Sequence, residues 1–187
     1  FPGLRERMLE YGEFIATRIA KDNEVFNYGL VDCSDEGIKA GKYFKENDVD
    51  IIFCHAATYV TSDAVLPIHQ ICKAPVVILN LQPTRRINYP ETSTGEWLAH
   101  CGACPVPEIS NAFERSNIPF HVISGLLGLD YTPKISVTEE NTCESPEAKR
   151  AYKLIEEWCK AASVVRTLRD GRFGFLGNNF NGMLDLY

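Results

Sequence analysis

The sequence predicts an α/β domain whose parallel sheet is wound by helices on both sides. Two observations carry this. Within Pro75–Thr84 (PVVILNLQPT), Val76, Val77, Ile78 and Leu79 form an apolar run that Leu81 extends past Asn80. The run is too short for a helix core and rich in β-branched side chains, as suits a strand buried on both faces. Helix-period and strand-period patterns also alternate along the chain, the signature of a sheet with crossover helices.

In order, Pro2 sits where a first-turn proline belongs. Leu4, Met8, Tyr11, Ile15 and Ile19 then recur at helical spacing, predicting an amphipathic helix to about Lys21. Glu24–Val31 reads as a strand. Ser34 is placed to cap a helix whose first turn carries Asp35 and Glu36 and which runs to about Asn47. Asp50–His55 is the next buried strand. Thr61 or Ser62, with Asp63, opens a helix through Ile68 and Ile71 that leads into the strand at Val76.

Beyond it, Gln82–Ser93 reads as a loop and Gly95–Cys104 as a short helix or turn. Pro105 or Pro107 starts a helix through Ile109, Ala112 and Phe113. Phe120–Ile123 is a strand stopped by Ser124-Gly125, and Tyr131–Cys143 is polar without a clear period. Ser145-Pro146-Glu147 opens a long helix with Tyr152, Ile155, Trp158, Cys159, Ala162 and Val165 on one side, ended by Asp170-Gly171. Arg172–Leu176 is the last strand. Five strands with right-handed crossovers make a Rossmann-like, doubly wound parallel sheet of flavodoxin-like order. Such a sheet opens with a strand, whereas this chain opens with a helix, so a first strand is expected ahead of Phe1.

Composition narrows the function. The 187 residues suffice for one sizeable core, and 45% hydrophobic with 24% charged residues is ordinary for a soluble domain. A net charge of −6 without a basic block argues against a nucleic-acid backbone as partner. The cationic run Arg166–Arg172 reads as a solvated helix end. No apolar stretch approaches the ~20 residues that span a bilayer. Seven cysteines, an odd number and several in apolar runs, read as reduced thiols of a cytoplasmic protein.

Chemistry-bearing motifs are few. Cys101-Gly102-Ala103-Cys104 is a C-x-x-C pair ahead of a helix start, the place of a dithiol redox centre, though packing competes with that reading. No second pair completes a four-ligand zinc site. Gly177–Met183, with Asn178, Asn179 and Asn181, matches neither dinucleotide loop nor P-loop. It reads equally as a turn or as hydrogen-bonding groups for a polyol. His55 and His121 flank strand residues, His69 lies in a helix, and His100 falls in the polar region expected to face a crevice. That crevice lies at the carboxyl end of the central strand, where α/β sheets bind ligands. There Asn80 and Gln82 suit holding its loops.

Three runs carry a resemblance: Val76–Pro83 (VVILNLQP), Thr94–Ile109 (TGEWLAHCGACPVPEI) and Arg172–Tyr187 (RFGFLGNNFNGMLDLY). Together with FPGLRERMLEY and DVDIIFCHAATY they resemble the amino-terminal domain of the L-fucose/L-arabinose isomerase family. The resemblance covers essentially the whole chain. It implies a metal-dependent aldose–ketose isomerase, with L-arabinose to L-ribulose as the reaction, a multidomain subunit, and hexamers or trimers. Residues 1–176 would be the Rossmann-like domain and 177–187 the start of the connection to the next. The family's Mn²⁺ ligands, glutamates and histidines, lie in later domains, so catalytic residues and metal ligands are expected outside this chain, and the piece alone is expected to be inactive. Substrate-binding positions carry over to His100, Trp97, Met183 and Gln82, the first two reaching the site of a neighbouring subunit. The family can carry glutamine where Trp97 stands, and some relatives tyrosine in place of His100. A non-catalytic sugar-binding or regulatory α/β domain is the alternative.

Overall fold

The structure, a computed structural model, describes residues 1–133 and 141–174. Its strands are β1 (Ile52–His55), β2 (Val76–Gln82) and β3 (Phe120–Leu126), and its helices α1 (Leu4–Ile19), α2 (Ser34–Glu46), α3 (Ser62–Ile71), α4 (Thr94–Leu98), α5 (Val106–Arg115) and α6 (Pro146–Asp170). The strands form an open parallel sheet in the order β1-β2-β3, with Ile52 opposite Val76 and Gln82 opposite Leu126.

Strand β2 is central because both its faces are apolar. Val77, Leu79 and Leu81 pack with Met8, Tyr11 and Ile15 of α1 and with Ala151, Ile155 and Cys159 of α6. Val76 and Ile78 turn the other way, onto Val65 of α3 and Ile109 and Phe113 of α5. Each of these five β2 side chains is at most 2% exposed. At the usual gain for burying an aliphatic side chain, they contribute roughly 10 kcal/mol before the entropy of ordering the chain is subtracted. A third cluster, Ala40, Ile52, Ile68 and Cys72, closes α2 and α3 onto β1.

Several expectations change in detail. Gly3, at φ +78°, occupies the position before α1, so Pro2 precedes the helix instead of lying in its first turn. Ser34 is the first residue of α2; its hydroxyl donates to Asp63 Oδ2 (2.9 Å), linking two helix starts. Strand β3 does not stop at Ser124-Gly125 but runs to Leu126. Gly125 is needed for proximity: a Cβ there would stand 2.9 Å from Ala151 Cβ and 2.9 Å from Glu147 O, so its absence lets α6 lie against the strand. Ser145 caps α6 as expected, accepting from the Ala148 amide (3.1 Å). Val165, expected on the packed side of α6, is 65% exposed, because the helix outruns the sheet beyond Cys159.

Two predicted strands do not form among the described residues. Residues 171–174 are irregular, with Phe173 exposed, and 175–176 lie outside the described residues. Glu24–Val31 has no ladder partner. Between it and β1 lies a cleft of about 1070 Å³, lined by Val25, Leu30, Ile51 and Phe53 and floored by Ile15 of α1 and Cys159 of α6. The segment lacks a neighbour close enough to share backbone hydrogen bonds, and without one an extended chain is not a strand.

The cationic end of α6 is paired and not merely solvated. Arg166 bonds Asp50 through Nε and Asp48 through Nη1 (2.9 Å), and Arg169 reaches Asp48 (3.4 Å). These contacts raise the Arg166 pKa, chiefly through the Asp50 bond.

Candidate functional site

Parallel strands deliver their carboxyl ends to one edge, and here that edge is roofed by α4 and the turn after it. Helix α4 is short, so its start needs fixing. Ser93 and Glu96 form a capping box, the Ser93 hydroxyl accepting from the Glu96 amide (3.3 Å) and the Glu96 carboxylate accepting from the Ser93 amide (3.0 Å). The spacing Ser93-Thr94-Gly95-Glu96 is a sequence signal for that start.

Three contacts dock this roof on the sheet. Thr58, just beyond β1, donates to Leu98 O (2.8 Å). Gln82, the last residue of β2, has one amide orientation that satisfies its neighbours: Nε2 donates to His100 O (3.0 Å) and Oε1 accepts from Ala103 N (3.2 Å). Gly102 lies so close to β1 that a Cβ would stand 2.2 Å from Ala56 O. Asn80, beside Gln82, shares a hydrogen bond with Ser124 Oγ on β3 (3.2 Å). Strand-end polar groups thus hold the loops over this edge.

Of the four expected substrate-binding residues, the structure brings three together. Trp97 and His100 are neighbours, the His100 amide donating to Trp97 O (2.9 Å), and Gln82 holds the His100 carbonyl. Met183 lies outside the described residues, as does the Gly177–Met183 segment. Trp97 is 41% exposed, whereas His100 is 9% exposed. The His100 Nδ1 proton points at Glu96 O (3.1 Å), and Nε2 is buried without a protein partner. Burial pulls the His100 pKa below its ordinary value, partly opposed by the Glu96 carbonyl and assisted by Arg7. The ring is therefore neutral, with Nδ1 protonated and Nε2 a bare acceptor.

The remaining histidines are dispersed. His69 is buried against the edge of Phe113 (4.8 Å between ring centroids), and burial lowers its pKa to about 4. His55, at the end of β1, is likewise lowered to about 4 by burial. His121 is exposed and stacks on Trp158 (5.3 Å). Among the described residues no group of three or more His, Cys, Asp or Glu stands close enough to hold a metal ion, so they do not fit a Mn²⁺ site.

The C-x-x-C pair closes into a turn, Cys104 N donating to Cys101 O (3.1 Å), with the two sulfurs 2.8 Å apart. Cys101 is buried and Cys104 exposed; all seven cysteines are free thiols. Thr58 is the site contact that sequence reasoning missed, since a threonine after a strand carries no pattern that names its partner 40 residues on.

Fold and edge together define an α/β domain with helices on both faces of an open parallel sheet and a carboxyl edge covered by α4 and the turn after it. No protein-family model matches the chain, and a comparison with curated proteins finds no significant match. No helix among the described residues is long and apolar enough to cross a membrane.

Proposed function

We propose that this chain is the amino-terminal, Rossmann-like domain of a metal-dependent aldose–ketose isomerase of the L-fucose/L-arabinose type, converting L-arabinose to L-ribulose in the assembled enzyme. The observation that carries the reading is the meeting of two resembling runs: Val76–Pro83 ends in Gln82, which grips the His100–Ala103 turn of Thr94–Ile109. Residues far apart in sequence that share the resemblance therefore meet at the carboxyl edge of the sheet.

In this reading the domain is a wall of the sugar site. Trp97 presents a ring face to the apolar C–H side of a sugar, and Gln82 and His100 set the position of that ring through α4. Met183 adds an apolar contact. The carboxylate base and the Mn²⁺ ligands belong to other domains, so this chain positions substrate and performs no proton transfer. The exposed Val164, Val165, Leu168 and Phe173 at the end of α6 supply apolar area for a domain or subunit contact in a hexamer or trimer.

Expression of the complete gene product tests the proposal. Mn²⁺-dependent formation of L-ribulose from L-arabinose is expected, with none from the 187-residue chain alone. Binding of the sugar without turnover by the complete protein would overturn the isomerase and leave a sugar-binding domain.

A further inference from the structure

The Cys101–Cys104 turn has a geometry that sugar isomerisation does not use. Its sulfurs are 2.8 Å apart, the Cys101 thiol donating to the Cys104 sulfur. The backbone between them is a hydrogen-bonded four-residue turn (3.1 Å from Cys104 N to Cys101 O). Turns of this kind hold their end Cα atoms within ~7 Å, inside the range that a disulfide spans. A bond of ~2.05 Å thus needs only a small closure of the two side chains. The thiols also differ in access: Cys101 is 4% exposed, whereas Cys104 is open to solvent.

We propose that Cys101 and Cys104 are a reversible redox modification site, closing to an intramolecular disulfide by exchange with a small-molecule disulfide. Cys104, as its thiolate, attacks one sulfur of the reagent RSSR; the S–S bond breaks, RS⁻ leaves, and a Cys104–S–S–R mixed disulfide forms. Cys101 then loses its proton and attacks the Cys104 sulfur, expelling the second RS⁻. In sum, two protein thiols and RSSR give one protein disulfide and two RSH. The protein loses two electrons and two protons, and the reagent is reduced.

The order of attack follows from the environment. Burial and the contact with Cys104 push the Cys101 thiol up to about 11, which disfavours it as the first nucleophile but not as the neighbour that resolves a mixed disulfide. The consequence is local. The cross-link fixes the turn that Gln82 grips and that Gly102 presses against Ala56 O, and so stiffens the roof carrying Trp97 and His100. The site needs only this turn and stands whether or not the chain serves an isomerase.

Cleavage after arginine and lysine isolates both thiols on one peptide, residues 87–115, which holds no other cysteine. The protein is treated with excess glutathione disulfide, quenched with N-ethylmaleimide and mapped by mass spectrometry. That peptide is expected to lose two hydrogens, carry no maleimide, and regain two maleimides after dithiothreitol. In Cys101→Ser a stable glutathione adduct should accumulate on Cys104; in Cys104→Ser, Cys101 should remain a free thiol. Two maleimides after glutathione disulfide treatment of the unsubstituted protein, or a glutathione adduct on Cys104 that never resolves, would overturn the proposal. Glutathione on Cys101 in Cys104→Ser would overturn the order of attack.

Discussion

His69→Leu should flatten the acid dependence of stability. His69 lies in α3, 2% exposed, with neither ring nitrogen bonded, and burial lowers its pKa from 6.5 to about 4. The unfolded chain takes up a proton near pH 6.5, whereas the folded one resists until about pH 4. Between those values the unfolded state binds more protons, so stability rises with pH and is lost on acidification. By linkage, the loss attributable to this ring between about pH 7.5 and about pH 5 is ~2 kcal/mol. His55, also lowered to about 4, adds a loss of the same sign in the same window. At neutral pH the substitution should be nearly silent: it relieves a buried N–H without a partner (~1–3 kcal/mol) and forfeits the edge contact with Phe113 (~0.5–1.5 kcal/mol). Urea unfolding of both proteins at the two pH values reads the effect. The wild type should lose ~2 kcal/mol more than His69→Leu between them. Equal losses, or a ring that titrates near its ordinary pKa by NMR, would refute a neutral buried imidazole.

Other substitutions probe the packing and the roof. Gly125→Val forces a side chain into Ala151 and Glu147 O and should cost ~1–3 kcal/mol in urea unfolding, with α6 amides exchanging faster. Phe113→Ala, emptying a site of 0% exposure between α5 and β2, should cost ~3–5 kcal/mol. Arg18 lies 3.8 Å over the Tyr152 ring and donates to Gly128 O (3.2 Å), so Arg18→Ala should cost ~1–2 kcal/mol by the same measurement. Gly102→Ala sets a Cβ 2.2 Å from Ala56 O, a backbone atom that does not yield cheaply, and should both cost ~1–3 kcal/mol in urea unfolding and speed maleimide alkylation of Cys101.

The local periods were legible, and most of the fold followed from them. The apolar stretch of β2, the start of α3 at Ser62, the Ser145 cap of α6, and the helix through Ile109 and Phe113 stand where spacing places them, because burial and capping are local rules that side chains announce. Glu24–Val31 had the right composition for a strand, yet a strand is defined by its neighbour, and β1 is separated from it by a cleft. Ser124-Gly125 looked like a stop, since glycine commonly ends strands; its actual role depends on a helix that begins only at Pro146.

The carboxyl edge divides in the same way. That Gln82 and Asn80, at the end of β2, hold loops there was readable from the sequence. An α/β chain with a buried central strand is written locally, because period and hydrophobicity act along a few residues at a time. That His100 is buried with a bare Nε2, that Trp97 faces outward, and that Cys101 and Cys104 stand within reach of a bond came from the assembled fold. Those properties depend on how closely separate segments approach, and that distance is set by packing across the sheet.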